Sequence, residues 1–209
     1  MPELIDDADF NIKLNEMGRN TDHTARFLGI GVQSFILNGF DVPFGYRLVK
    51  SKTEDQYRLI TESDSPVTAY AVKLAFYDHI VPGSETCTQV MVWRSNRPEH
   101  QRAVSGLAAL FFQYLVSHYS VVVSDSQQTH SGRRFWELRI MEALSREDMH
   151  VYVSDGTQGD RDGVIPLSEI HSDREFYEVW NEFSWGRERD IHSLRLLVIS
   201  RHKLNECED

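Results

Sequence analysis

An apolar, β-branched run at residues 121–123 passes through Ser124 and Asp125 into THSGRRFW at 129–136, and this join constrains the fold more than any other stretch of the chain. A short β-branched run leading through polar turn residues into helical spacing is a strand-to-helix junction, the place where open α/β folds gather ligand-binding groups. A second junction lies upstream. Residues 88–94 (TQVMVWR) read as a strand, 95–100 as a loop, and 101–118 as an amphipathic helix whose first half carries Ser105, Gly106, Leu107 and Ala108. The resulting order is strand, small-residue helix start, strand, helix, strand. It predicts an α/β (α+β) chain built on a mixed sheet.

The flanking segments extend that sheet. Residues 46–50 and 56–61 form a hairpin around a polar loop, and 67–77 alternate as a third strand. The apolar, glycine-punctuated stretch 25–40 suits a strand followed by a short helix or loop, whereas 2–19 reads as a frayed helix or an arm. Past the second junction, 130–146 is helical, 149–154 is a strand, 155–163 is an Asp/Gly loop, and 194–200 is a late strand. Ser172 and Glu175 are spaced to cap reciprocally a helix over 173–185. Phe176, Val179, Trp180 and Phe183 then fall on one helical face, a core stripe or, with Trp185, the centre of a partner surface.

At 209 residues the chain predicts a single domain, with an N-terminal extension over about 1–24 and an added loop and helix over about 155–190. A net charge of −10 argues against nucleic acid, whose binding depends on a basic face. Cys87 and Cys207 have neither disulfide-framework nor zinc spacing, so they read as free thiols. With no leader pattern and no apolar run near the roughly 20 residues of a membrane span, a cytoplasmic protein is expected. Gln158 occupies the first position of a calcium-loop frame that otherwise matches at Asp160, Asp162, Gly163 and Glu169, so a solvated loop and no metal are expected there.

The succession of elements over about 46–156 resembles the GNAT family of acyl-CoA-dependent N-acyltransferases. In that family a glutamine or arginine, two residues, a glycine, one residue and a glycine or alanine open the helix that holds the CoA pyrophosphate. Here Gly106 and Ala108 fill the small positions, but Ala103 stands three before the glycine and the arginine is one earlier, Arg102. The family's next helix commonly reads Asn-x-x-Ala-x-x-Leu-Tyr, and this chain has Thr129, Gly132, Phe135 and Trp136 at that spacing. Phage-encoded members are similar in carrying tryptophan for the tyrosine and a Ser-Asp step after the strand, which implies a phage origin and action in the host cytoplasm.

The resemblance implies a mostly antiparallel sheet flanked by helices, acetyl-CoA or another acyl-CoA as cofactor, and an amine of a small molecule or protein as acceptor. It implies a cofactor site at Val92, Trp93 and Arg94 on the strand, Arg97, Arg102, Ser105, Gly106 and Ala108 around the helix start, and Thr129. Small side chains there let a pyrophosphate approach backbone N–H groups, and Arg97 and Arg102 supply charge. The family tyrosine that protonates the leaving thiolate is replaced by Trp136, whose indole is no acid, leaving Ser124 and Asp125 as catalytic candidates beside Tyr114, Thr129 and His130. Asp125 and Thr129 also suit turn and cap roles. Glu85 is the candidate base, with Asp78 and His79 as alternatives. Trp136 shares a helical face with Ile140, Ala143 and Leu144 and reads as packing. A second function class stays open: a GNAT-fold protein without turnover, acting as a phage effector that docks on a host enzyme.

Overall fold

The structure is a computed structural model that describes residues 3–5, 17–77, 86–123, 127–155, 167–185 and 195–204. Its elements run β1 (Glu3–Ile5), α1 (Met17–Gly29), β2 (Val32–Ser34), β3 (Tyr46–Ser51), β4 (Gln56–Thr61), β5 (Thr68–Tyr77), β6 (Thr86–Arg94), α2 (Pro98–Gln101) and α3 (Leu107–His118). There follow β7 (Ser120–Val123), β8 (Gln127–Thr129), α4 (His130–Leu144), β9 (His150–Asp155), β10 (Ser168–Ile170), α5 (Asp173–Glu175), a π-turn (Phe176–Trp180), α6 (Asn181–Ser184) and β11 (Arg195–Ser200). The chain is α+β with mostly antiparallel pairing. It forms two compact units: Met1–Asp7, Phe76–Gln89 and Leu115–Asp209 make the first, Ala8–Ala75 and Val90–Tyr114 the second.

In the first unit the strand order is β10, β9, β11, β7, β6. The last strand among the described residues, β11, lies between β7 and β9 and is antiparallel to both, with Val198 opposite Val122 on one side and Tyr152 on the other. Thr86 and Cys87 of β6 pair in parallel with Ser120 and Val121. Central strands are covered on both faces, so they read as unbroken apolar runs: Val121–Val123, Val151–Val153 and Leu197–Ile199 are all buried. From α4, Trp136, Ile140 and Ala143 are buried as their spacing predicts, Trp136 at 7% exposure, while Leu144 is half-buried.

The expected helix over 173–185 forms, but it is not a plain α-helix. Ser172 caps it, its hydroxyl accepting from Glu175 N–H at 3.1 Å, while the Glu175 carboxylate takes the N–H of His171 at 2.9 Å, one residue earlier than a reciprocal cap. Asn181 N–H then reaches back five residues to the Phe176 carbonyl, opening a π-turn. The extra residue in that turn breaks the expected stripe. Phe176 is fully buried and Trp180 and Phe183 are half-buried, but Val179 turns outward at 55% exposure.

The second unit holds an antiparallel meander, β2, β3, β4, β5, with a register shift at Leu59/Ile60. The expectation of a strand early in 25–40 is corrected here: Ala25–Gly29 end α1, and only Val32–Ser34 is extended. The face α1 buries carries Asn20, Thr24 and Phe27. That stripe is polar and is stable because each group is bonded: Asn20 Oδ1 accepts from Thr68 N–H (2.8 Å) and Thr24 Oγ1 (3.1 Å), Asn20 Nδ2 donates to the Thr68 carbonyl (3.0 Å), and Thr24 and Thr68 hydroxyls meet at 2.7 Å. Arg58 closes the network, donating to Thr68 Oγ1 at 3.2 Å with its guanidinium 4.2 Å from the Phe27 ring centre. Burial pushes it down to about 10. On the other face of the meander, Tyr57, Tyr70, Phe35, Phe111 and Tyr114 form an aromatic layer with ring centres 4.7 to 6.4 Å apart.

Candidate functional site

The best-defined polar cluster that coincides with the expected site is the connection from β6 to α3, all within the second unit. At its start the Ser95 N–H donates to the Ala69 carbonyl (2.9 Å), and the Ser95 hydroxyl accepts from Arg97 N–H (3.3 Å). Gln101 then holds the connection from within: its amide nitrogen donates to the carbonyls of Ser95 (2.8 Å) and Arg97 (3.3 Å), and its oxygen accepts from Arg94 Nη2 (3.0 Å). One side chain of α2 thereby ties down the backbone just before Pro98.

His100 is buried in this connection, and its Nδ1 lies 2.8 Å from the Tyr46 hydroxyl at the start of β3. Burial is the main reason the imidazole is held below its ordinary range; Glu99 opposes that shift and Arg97 adds to it. Burial and the Glu99 carboxylate together push the Tyr46 phenol up. Both rings are therefore neutral near pH 7. The pair is a link between β3 and α2 rather than a charged centre.

The helix start expected at residue 101 is corrected. Pro98–Gln101 is a separate turn of helix, residues 102–106 are turns, and the twelve-residue α3 begins at Leu107. Gly106 causes the break, for its φ of +74° lies outside the helical region and disfavours any residue with a Cβ. A Cβ there would meet nothing within 4 Å, so this glycine serves the turn rather than close packing. Its carbonyl accepts the Leu110 N–H (3.2 Å), placing Gly106 at the cap of α3.

Of the expected cofactor residues, Val92 is half-buried, Trp93 is buried, and Arg94, Arg102, Ser105 and Gly106 are exposed; Arg97 and Ala108 are half-buried. The connection thus brings Arg94, Arg97 and Arg102 into one nine-residue stretch ahead of a helix start. Arg97 lies 3.7 Å from Glu99, while Arg102 makes no ion pair among the described residues. A cationic stretch before a helix N-terminus favours phosphate or carboxylate groups.

Thr129 belongs to the first unit and ends β8, which pairs in parallel with β1; it directly precedes His130, the first residue of α4, and so stands at the cap position that the sequence suggested. The catalytic candidates Glu85, Ser124 and Asp125 lie outside the described residues, as do Asp78, His79 and the 158–163 part of the calcium-like loop. Among the described residues no group of three metal-binding side chains converges, and no helix is long and apolar enough to cross a membrane.

Comparison with family models, curated proteins and solved structures finds no match to this chain. The site therefore has to be read from its own chemistry. Sequence reasoning singled out the arginines and Gly106 as candidates but not Tyr46, Ser95, His100 and Gln101, whose bonds hold the connection. Their side chains act across turns and between β3 and α2, and no spacing rule signals such contacts.

Proposed function

We propose that this chain is a GNAT-like, CoA-dependent N-acyltransferase that holds the acyl-CoA pyrophosphate at the turn preceding α3 and passes the acyl group to an amine. The observation that carries this reading is the placement of Arg94, Arg97, Arg102 and Gly106 in a hydrogen-bonded connection leading to the α3 start, in a chain whose net charge is −10. Support also comes from the parallel start of β6 beside β7 within a mostly antiparallel sheet, and from the late strand inserted between β7 and β9. Arg102 and Arg97 would neutralise phosphate charge, and Gly106 would keep the approach to the helix start free of side chain. The acyl group would then lie along β6 near Val92 to Arg94, where orientation rather than acid chemistry supplies most of the rate.

A second reading, a GNAT-like binding protein without turnover, is favoured by the burial of Trp136 within the α4 packing face. Titration with acetyl-CoA separates the two. Binding at 100 times the dissociation constant should stabilise the protein by about 2.7 kcal/mol, and Arg102→Glu, an exposed change, should remove most of that gain with the unliganded melting temperature kept. Free thiol release in the presence of an amine marks the acyltransferase; binding without release marks the second reading. If the wild type gains no stability with acetyl-CoA, the cofactor assignment is wrong.

A further inference from the structure

We propose that the loop of residues 36–45 docks a short segment of another protein, one carrying an apolar anchor flanked by lysine or arginine. Ile36 is 86% exposed, Phe44 105% and Val42 40%. Isolated exposed apolar residues are ordinary, but three on one ten-residue loop are not. Nor is the loop loose. Phe35 N–H donates to the Leu48 carbonyl (2.9 Å), Phe40 N–H to Leu37 (3.0 Å), Tyr46 N–H to Pro43 (3.1 Å) and Glu62 N–H to Gly45 (2.8 Å). Leu37 is buried beneath it, and Gly39 and Gly45, both at φ +80°, make its turns. The side chains that could have packed inward are thus held outward by a fixed backbone, so a partner meets a preorganised surface.

The charge around this surface selects the partner. The Phe35 to Leu48 bond continues the β2–β3 register and sets Ile36 across from Arg47, while the Glu62 bond sets the turn of residues 62–66 against Gly45. Asp41, Glu62 and Asp64 are exposed there against one exposed arginine, Arg47. That acidic excess, in a chain whose net charge is −10, steers a basic segment toward the apolar centre. A second copy of this chain would bring the same acidic rim and is disfavoured.

This inference is independent of acyl transfer, and its test uses binding alone. The full chain is titrated, by fluorescence anisotropy at low salt, against a labelled short peptide with a Leu-Phe core among lysines and against the same peptide with glutamate for lysine. The lysine peptide should bind, with affinity falling as salt rises, and the double variant Ile36→Ser, Phe44→Ser should weaken it about 10-fold or more. Both residues are exposed, so the variant should melt with the wild type. Asp41→Lys with Glu62→Lys should weaken the lysine peptide separately and leave the fold intact. The proposal is overturned if the lysine peptide does not bind, if the glutamate peptide binds as well, or if the apolar variant binds unchanged. It is equally overturned if light scattering shows a wild-type dimer that the Phe44 variant dissociates, or if the loop binds phosphatidylcholine vesicles as strongly as the peptide.

Discussion

At the β6 exit the chain runs through Arg94, Arg97 and Arg102 before α3 begins; at the β8 exit it enters α4 and buries Trp136 within the second turn of helix. The sequence presents both as polar turns leading to amphipathic helices, and each has arginines bonded to neighbours beside an exposed one with no ion pair among the described residues, Arg102 at the first and Arg134 at the second. Arg102 stands exposed without an ion pair among the described residues. On α4, Arg133 is bonded to Glu137 (2.7 Å) and Asn181 (3.3 Å) and lies over the Trp185 ring, and Arg139 is paired with Glu142 at 2.7 Å. Cations spent on neighbours hold structure together. Those left facing solvent are available to a ligand. The comparison teaches that the two helix starts differ in packing rather than in unused charge: Trp136 is buried in the same helix as Ile140 and Ala143, whereas Gly106 stands exposed at a turn with nothing within 4 Å of where a Cβ would be.

The strongest test of this contrast is Trp136→Ala. It should cost about 3 to 5 kcal/mol in chemical denaturation, because it empties a packed site beside Ile140 and Ala143. Trp136→Tyr should cost much less, since most of the ring volume remains. If Trp136→Ala unfolds like the wild type, the α4 start is not a packing junction and the contrast collapses.

At the other exit, Gly106→Ala should cost roughly 1 to 2 kcal/mol, all of it from forcing a left-handed backbone onto a residue with a Cβ, since the site itself is open. Gly106→Asn should recover part of that loss. Equal denaturation midpoints for glycine and alanine would mean that the chain does not need the turn and that α3 can begin earlier.

Tyr46→Phe is the mildest of the three, with an expected loss of about 1 kcal/mol for the bond to His100. A pH dependence sharpens it. His100 is held below its ordinary value of 6.5, so the unfolded chain binds the proton more readily than the folded protein. The stability associated with the neutral ring is present above about pH 6.5 and is lost as pH falls below it. His100→Gln should flatten that acid limb of the stability curve; an unchanged limb would assign it to other groups.

Much of the first unit was legible because its strands are buried on both faces and announce themselves as VVV, VYV and LVI. The hairpin of β3 and β4 and the strand β5 were legible from alternation. α1 was not, for its buried stripe is Asn20, Thr24 and Phe27, and a stripe that is two-thirds polar carries no hydrophobic period. Only the partners Thr68 and Arg58, some 35 to 50 residues away, make that face an inside face. At the candidate site the charged residues and the glycine were visible, whereas Gln101 and the Tyr46–His100 link depend on tertiary contacts. The start of α3 was misplaced by six residues because apolar spacing continues across Gly106 and says nothing about its φ.

The π-turn at Phe176–Trp180 has an evolutionary consequence. Such a turn is what a helix becomes when it accommodates one inserted residue without breaking. Deleting a single residue there, Tyr177 for instance, should leave a shorter, regular helix in which everything after the deletion keeps its neighbours. A segment able to absorb or discard one residue in this way can be lengthened by mutation without first losing its attachment at Ser172 or at Trp185, and so offers the lineage a place to vary.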